Sequence, residues 1–168
     1  EKNLKLVGID PTGTKFKKFY PDHVSLIPDF FSAAGVRKHL GQKKAKVITS
    51  CSMLYDLEDP VQFFRDIREV LAPDGIWVTE QSYMPTMLKM NSYDTVCHEH
   101  LEYYGLHQIQ WMANQAGLKL IDVELNAING GSFSVALAPQ ESKTSVRSPI
   151  LQSLLQQEVD LKFIQLEV

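Results

Sequence analysis

The sequence predicts an α/β fold: an open, mostly parallel sheet with helices between its strands, closed by an antiparallel hairpin. Two observations predict it. Short apolar runs alternate with amphipathic stretches of helical spacing, which is the pattern of strands joined by helical crossovers. The last two apolar runs are separated only by a turn-rich connection, too short for a crossover and suited to a hairpin.

Each element has its own signal. Residues 4–9 form an apolar run ending in Asp10-Pro11, as expected of a buried strand and the turn at its carboxyl end. Residues 24–27 form a second strand, ending at Pro28-Asp-Phe-Phe31. A helix over 32–40 follows and is stopped by Gly41. Residues 45–51 read as a third strand. Asp59-Pro60 opens a helix whose Phe63, Phe64, Ile67, Val70 and Leu71 share one face. Pro73-Asp-Gly75 is expected to break it before a fourth strand over 76–79. Leu106, Ile109, Met112, Ala113 and Ala116 mark another helix, ended by Gly117. Strands over 118–125 and 133–138 flank the turn Asn126-Ala-Ile-Asn-Gly-Gly131. Residues 139–149, rich in Ser, Thr, Gln and Lys, read as a linker. Residues 150–168 resume with an apolar helical stripe, read either as a helix that packs back on the sheet or as the start of a C-terminal domain.

The chain has 168 residues, 44% hydrophobic and 22% charged, with a net charge of −3. These values suit one globular domain, or one and the start of another. No basic footprint points to nucleic acid, and no apolar run reaches the roughly 20 residues that span a bilayer. Two cysteines suggest no disulfide framework, so the expected compartment is the cytoplasm. Glu1, followed almost at once by a strand pattern, leads us to expect a piece of a longer polypeptide.

The chemistry concentrates in Asp94-Thr-Val-Cys-His-Glu-His-Leu-Glu-Tyr-Tyr104. These eleven residues hold two imidazoles, three carboxylates, a thiol and two phenols, with little apolar periodicity. Histidine titrates nearest neutrality, so His98 and His100 around Glu99 can supply a proton acceptor and its partner. The plainer reading is a polar loop. Tyr103 and Tyr104 are equally readable as packing aromatics. Cys97-His-Glu-His100 contains metal-ligand types, but ligands so adjacent seldom complete a site, and no metal is expected. Asn129-Gly-Gly131 reads as a turn, His23, His39 and His107 as surface or capping residues, Trp77 and Trp111 as core, and Cys51 as a small buried residue.

Ligands of open α/β sheets bind outside the carboxyl ends of the strands. Three features sit there. Asp10 ends the first strand, where a carboxylate can accept from both hydroxyls of a ribose. Asp29 and Phe30 end the second, where an acid can meet an exocyclic amine and a ring can meet a base. Residues 50–56, with Cys51 and Ser52, follow the third, where the reactive end of a ligand would lie.

On Val7-Gly-Ile-Asp-Pro11, Pro28-Asp-Phe-Phe31, Leu57-Glu-Asp-Pro60, Val70-Leu-Ala-Pro-Asp-Gly75, Cys97-His-Glu-His-Leu-Glu-Tyr-Tyr104 and Asn129-Gly-Gly-Ser-Phe133, the sequence resembles the class I S-adenosylmethionine-dependent methyltransferases. Within them it resembles the sugar C-methyltransferases. The likeness covers roughly residues 4–138, and the His-Glu-His-x-x-Tyr-Tyr element is its specific part. It implies a Rossmann-like methyltransferase sheet over 1–138, with Asp10 on the cofactor ribose and Asp29 and Phe30 on its adenine. Cys51 and Ser52 join these as cofactor-binding residues. It makes His100 the base, with Glu99 lining the substrate pocket and His98, Tyr103 or Tyr104 binding substrate or stabilising an enolate.

The sequence also departs from that pattern. No Gly-x-Gly occurs, so the family's first strand and glycine-rich loop are missing and the sheet is expected to be incomplete at its N-terminal side. That strand would lie between those ending at Asp10 and Cys51, and its loss leaves two edges unpaired. The family's zinc-binding cysteine cluster is absent as well. Ser52 and Asp56 stand where sugar-modifying relatives often carry Asn and His, and Cys97 where Tyr is common. The expected function is methylation of a carbon beside a ketone, with a nucleotide-linked keto-sugar as the small-molecule substrate. Two alternatives remain: methylation of oxygen or nitrogen on another small molecule, and a non-catalytic fragment serving assembly.

Overall fold

The computed structural model describes residues 4–162. They divide into two compact units, the first ending at Lys43 and the second beginning at Lys44.

In the first unit, β1 (Leu6–Ile9) pairs in parallel with β2 (Val24–Ile27), Leu6 opposite Val24 and Ile9 opposite Ile27. A four-residue helix not anticipated from the sequence, α1 (Gly13–Phe16), begins the connection. Helix α2 (Ala33–Leu40) follows β2. Its start is fixed by Ser32, whose Oγ accepts from Gly35 N at 3.1 Å, and Gly41 ends it at φ 63°.

The second unit is a four-stranded mixed sheet in the order β3-β4-β6-β5. Strand β3 (Ala45–Cys51) lies parallel to β4 (Leu71–Ser82), joined by helix α3 (Pro60–Val70). Strands β5 (Leu118–Asn126) and β6 (Ser132–Pro139) form the expected hairpin, with β6 antiparallel to both β4 and β5. Asp59 caps α3 by accepting from Gln62 N at 2.9 Å, with Pro60 in the first turn. The face read from the sequence is the buried one: Phe64 and Ile67 are fully buried, and Phe64 meets Trp77 edge-on at 4.6 Å. Trp77 is core, as expected, and donates its indole N–H to Ser50 Oγ at 3.0 Å.

Some expectations need correction. Pro73-Asp-Gly75 does not separate helix from strand. It bulges inside a twelve-residue β4, where the pairing passes from Ala45–Leu71 to Val47–Ile76. Lys46 bridges to Asp74 across this bulge, and a Cβ on Gly75 would stand 2.9 Å from the Ala45 carbonyl oxygen. Two helices follow β4, where the sequence pattern predicts one. Helix α4 (Met84–Met90) precedes α5 (Leu106–Gln115), because Pro85 suits a first turn even though the stretch lacks a clear stripe. Trp111 is 58% exposed rather than core. At about 100° per residue it falls roughly 140° from Leu106, on the far side of α5 from the stripe that meets β5. Cys51 is exposed too, since β3 pairs on one side only among the described residues.

Residues 139–149 run beside β5: Arg147 N donates to Ile121 O at 2.7 Å and Ser148 Oγ to Val123 O at 3.3 Å. Helix α6 (Leu151–Asp160) packs its leucines inward against α5, and its expected continuation to Val168 lies outside the described residues. No helix among the described residues is long and apolar enough to cross a membrane.

Candidate active site

At the carboxyl end of β1, Asp10 is held by its neighbours. Oδ1 accepts from Thr12 N and Oγ1 at 2.8 and 2.7 Å, and Oδ2 accepts from Tyr20 Oη at 2.7 Å. The Thr12 hydroxyl first, then Tyr20, hold this carboxyl below the usual aspartate range. Two acceptor positions of Oδ1 are used, and Oδ2 keeps one free. At the end of β2, the exposed Asp29 accepts from Phe30 N on Oδ1 at 2.8 Å. The Phe30 ring is 75% exposed, an apolar face with no cover in this unit.

In the second unit the chain leaves β3 through Ser52 at φ 52°, a left-handed conformation uncommon for a residue other than glycine. Ser52 N donates to Glu80 O at 2.8 Å, holding this turn against β4. A 3-10 turn over Leu54–Asp56 follows, with Leu54 and Tyr55 buried. The acidic segment docks on this turn. Tyr55 O accepts from Leu101 N at 2.8 Å and from Glu102 N at 3.3 Å, and the Tyr55 ring lies 4.1 Å from the His100 imidazole, centroid to centroid. Tyr103 is 6.4 Å from the same imidazole, edge to face, and its hydroxyl donates to Thr95 O at 3.4 Å. Thr95 is buried against Met87 of α4, and Tyr104 O accepts from Met84 N at 3.0 Å.

The segment is therefore anchored at Tyr55, at α4 and at the start of α5. His100, half-buried, sits between Tyr55 and Tyr103, within electrostatic reach of Asp56. Desolvation pushes the Asp56 carboxyl above the ordinary aspartate value; the His100 charge opposes that shift and the Glu99 charge adds to it. One imidazole and two carboxylates thus share these surroundings.

The structure brings together Glu99, His100 and Tyr103 of the expected set, all in the second unit with Ser52 and Cys51 at the end of β3. His98 is exposed on the same segment. Tyr104 takes a different place. It is buried, its hydroxyl bonds to Glu102, and burial followed by that carboxylate drives its ionisation well above the usual tyrosine range. It lines a groove of about 590 Å³ with Pro60, His107 and Trp111, a lining that does not include His100. Sequence reasoning missed Tyr55, whose ring and carbonyl both hold the His100 segment. Its only signal was its position just past a strand end. Among the described residues no three His, Cys, Asp or Glu side chains are grouped to hold a metal ion.

A family model described as a methyltransferase domain matches residues 1–123. The chain is 27% identical over 154 residues to the C-methyltransferase NovU of Streptomyces niveus, covering 91% of this chain and 37% of that protein. It thus spans little more than a third of that curated relative. Among solved structures it resembles LepI in complex with S-adenosylmethionine (TM-score 0.62, 14% identity, 83% of this chain and 38% of that one). It also resembles the CcbJ methyltransferase of Streptomyces caelestis (TM-score 0.58, 16% identity, 82% of this chain and 76% of that one). At these identities the structural likenesses speak for the α/β fold.

Proposed function

The chain belongs to the methyltransferase domain family, and from that premise we propose that it is the working part of an S-adenosylmethionine-dependent C-methyltransferase acting on a carbon beside a ketone. The observation that carries the proposal is the His100 imidazole, seated on Tyr55 at the end of β3 and flanked by the carboxylates of Asp56 and Glu99. The similarity to a C-methyltransferase supports the choice of carbon as acceptor.

The donor set fits the cofactor. Asp10 offers one acceptor position on Oδ2 for a ribose hydroxyl, and Asp29 offers an oxygen for an exocyclic amine, beside the bare Phe30 ring as a seat for adenine. In the second unit, Cys51 ends β3 and Ser52 follows it, both exposed. When bound, S-adenosylmethionine supplies a methyl group already activated on a sulfonium.

The protein's share is to make the carbon a nucleophile. His100 takes the proton from the carbon beside the ketone onto a ring nitrogen, and the released electron pair moves toward the carbonyl oxygen. The charge growing on that oxygen needs a donor, for which His98 is exposed on the same segment; Tyr103 would first have to give up its bond to Thr95 O. The packing of Tyr55 fixes the ring plane, so little freedom is lost at the moment of reaction. The substrate we propose is a nucleotide-linked keto-sugar.

His100→Ala in the protein should lower turnover of such a ketone by about 10²- to 10⁴-fold, while calorimetry finds cofactor affinity unchanged. Full turnover in the variant removes His100 as base. A product carrying its new methyl on oxygen or nitrogen replaces the carbon reading with a heteroatom one.

A further inference from the structure

One acid lies on the apolar stripe of the last helix. Leu151, Leu154 and Leu155 of α6 face inward, and Glu158 follows on the same stripe, 0% exposed. A buried carboxylate needs donors. Glu158 has four: Tyr83 Oη at 2.7 Å and Leu106 N at 2.6 Å on Oε1, and His107 N and Nδ1, both at 2.9 Å, on Oε2. A carboxylate only accepts, so the His107 proton toward it sits on Nδ1.

These donors share a purpose in the chain. Tyr83 is the first residue past β4, and Leu106 and His107 open α5. Between them lies the excursion that carries α4 and the His98–Tyr104 segment. The residue before α5 is Gly105, which has no side chain to cap the helix, so Glu158 bonds the first-turn N–H groups from 52 residues downstream. Glycine and acid are matched: a Cβ on Gly105 would stand 3.0 Å from both carboxylate oxygens. The Tyr83 ring also rests on Phe133 of β6 at 4.8 Å, tying the same point to the sheet.

We propose that Glu158 is a positioning residue for the His100 segment, a single anion on the last helix that pins both ends of the excursion holding the base. Helix α6 is then a working part of the methyltransferase unit. The effect on turnover rests on the reading of His100 given above; the pinning does not.

Amide exchange over residues 94–108, measured on the whole chain, tests the pinning without any substrate. Glu158→Gln keeps the shape of the side chain but sets an N–H₂ where a carboxylate oxygen had accepted. Exchange there should quicken about tenfold or more while β4 and β6 keep their protection, and Tyr83→Phe should give a smaller change in the same direction. With a keto-sugar acceptor, Glu158→Gln should lose about 10²-fold in kcat at unchanged cofactor KM, and Glu158→Asp should recover part of that loss. Unchanged exchange in a folded Glu158→Gln overturns the proposal. So does a loss that raises cofactor KM along with lowering kcat. If Glu158→Gln does not fold, unaltered exchange in Tyr83→Phe overturns it. Absence of turnover by the parent protein on any ketone would sink the functional reading and leave the exchange comparison to decide the pinning.

Discussion

Asp56 is the residue whose chemistry most directly reports the candidate site. Burial lifts its carboxyl above the ordinary 3.8, His100 pulls it back, and Glu99 lifts it further. Carboxylate NMR titration should find its midpoint above that value. Glu99→Gln should bring the midpoint down, and His100→Ala should push it higher. A midpoint indifferent to both changes would mean that the three groups do not share one environment. The sign for stability follows. A carboxyl with a raised folded value adds stability at pH below the unfolded value and loses it as pH rises through the folded one. Asp56→Asn should therefore weaken the decline in stability just above pH 3.8. Of the site residues, the histidines were legible because their types are rare and clustered. Tyr55 was not, because nothing in an apolar Met53-Leu54-Tyr55 run marks which ring will face an imidazole.

Among the elements, α3 shows how closely a local signal can fix structure. Asp59 accepts from Gln62 N, Pro60 fills the first turn, and an unbroken apolar face meets Trp77. Asp59→Ala should cost about 1 kcal/mol in denaturant unfolding, with no change in the far-UV spectrum of the folded state; a cost near zero would show that the cap is idle. Helix α5 is the contrasting case. Its N-terminus borrows a cap from Glu158, so its start could be read only from the stripe that begins at Leu106. Strand β4 ran past its apparent boundary because a Pro-Asp-Gly triplet, a turn signal by composition, is accommodated as a bulge beside Ala45. Local chemistry names the bend, and neighbouring strands decide whether pairing continues through it.

For the molecule as a whole, the two units have unequal means of support. The four-stranded sheet has two central strands, β4 and β6, with partners on both sides, and these strands carry the fully buried Trp77, Phe133 and Leu137. Among the described residues the β1-β2 sheet has a single ladder, and Leu6 at its start is 41% exposed. Native-state amide exchange should therefore be slowest in β4 and β6 and fastest in β1 and β2. Equal protection in the two sheets would contradict this ranking.

The sequence by itself determined the alternation of strands and helices, the closing hairpin, the buried face of α3 and the segment that concentrates acid–base groups. Each of these depends on periodicity or residue type within a few positions, which is local information. Tertiary structure alone decided that Trp111 faces outward, that Tyr104 turns to Glu102 while His100 meets Tyr55, and that Glu158 closes the start of α5. Those outcomes join residues far apart in the chain, and the energy of a buried charge or ring depends on what packs against it. Glu158 left one trace, an acid on a leucine stripe, but only the fold supplies the four donors that make burial of that charge favourable.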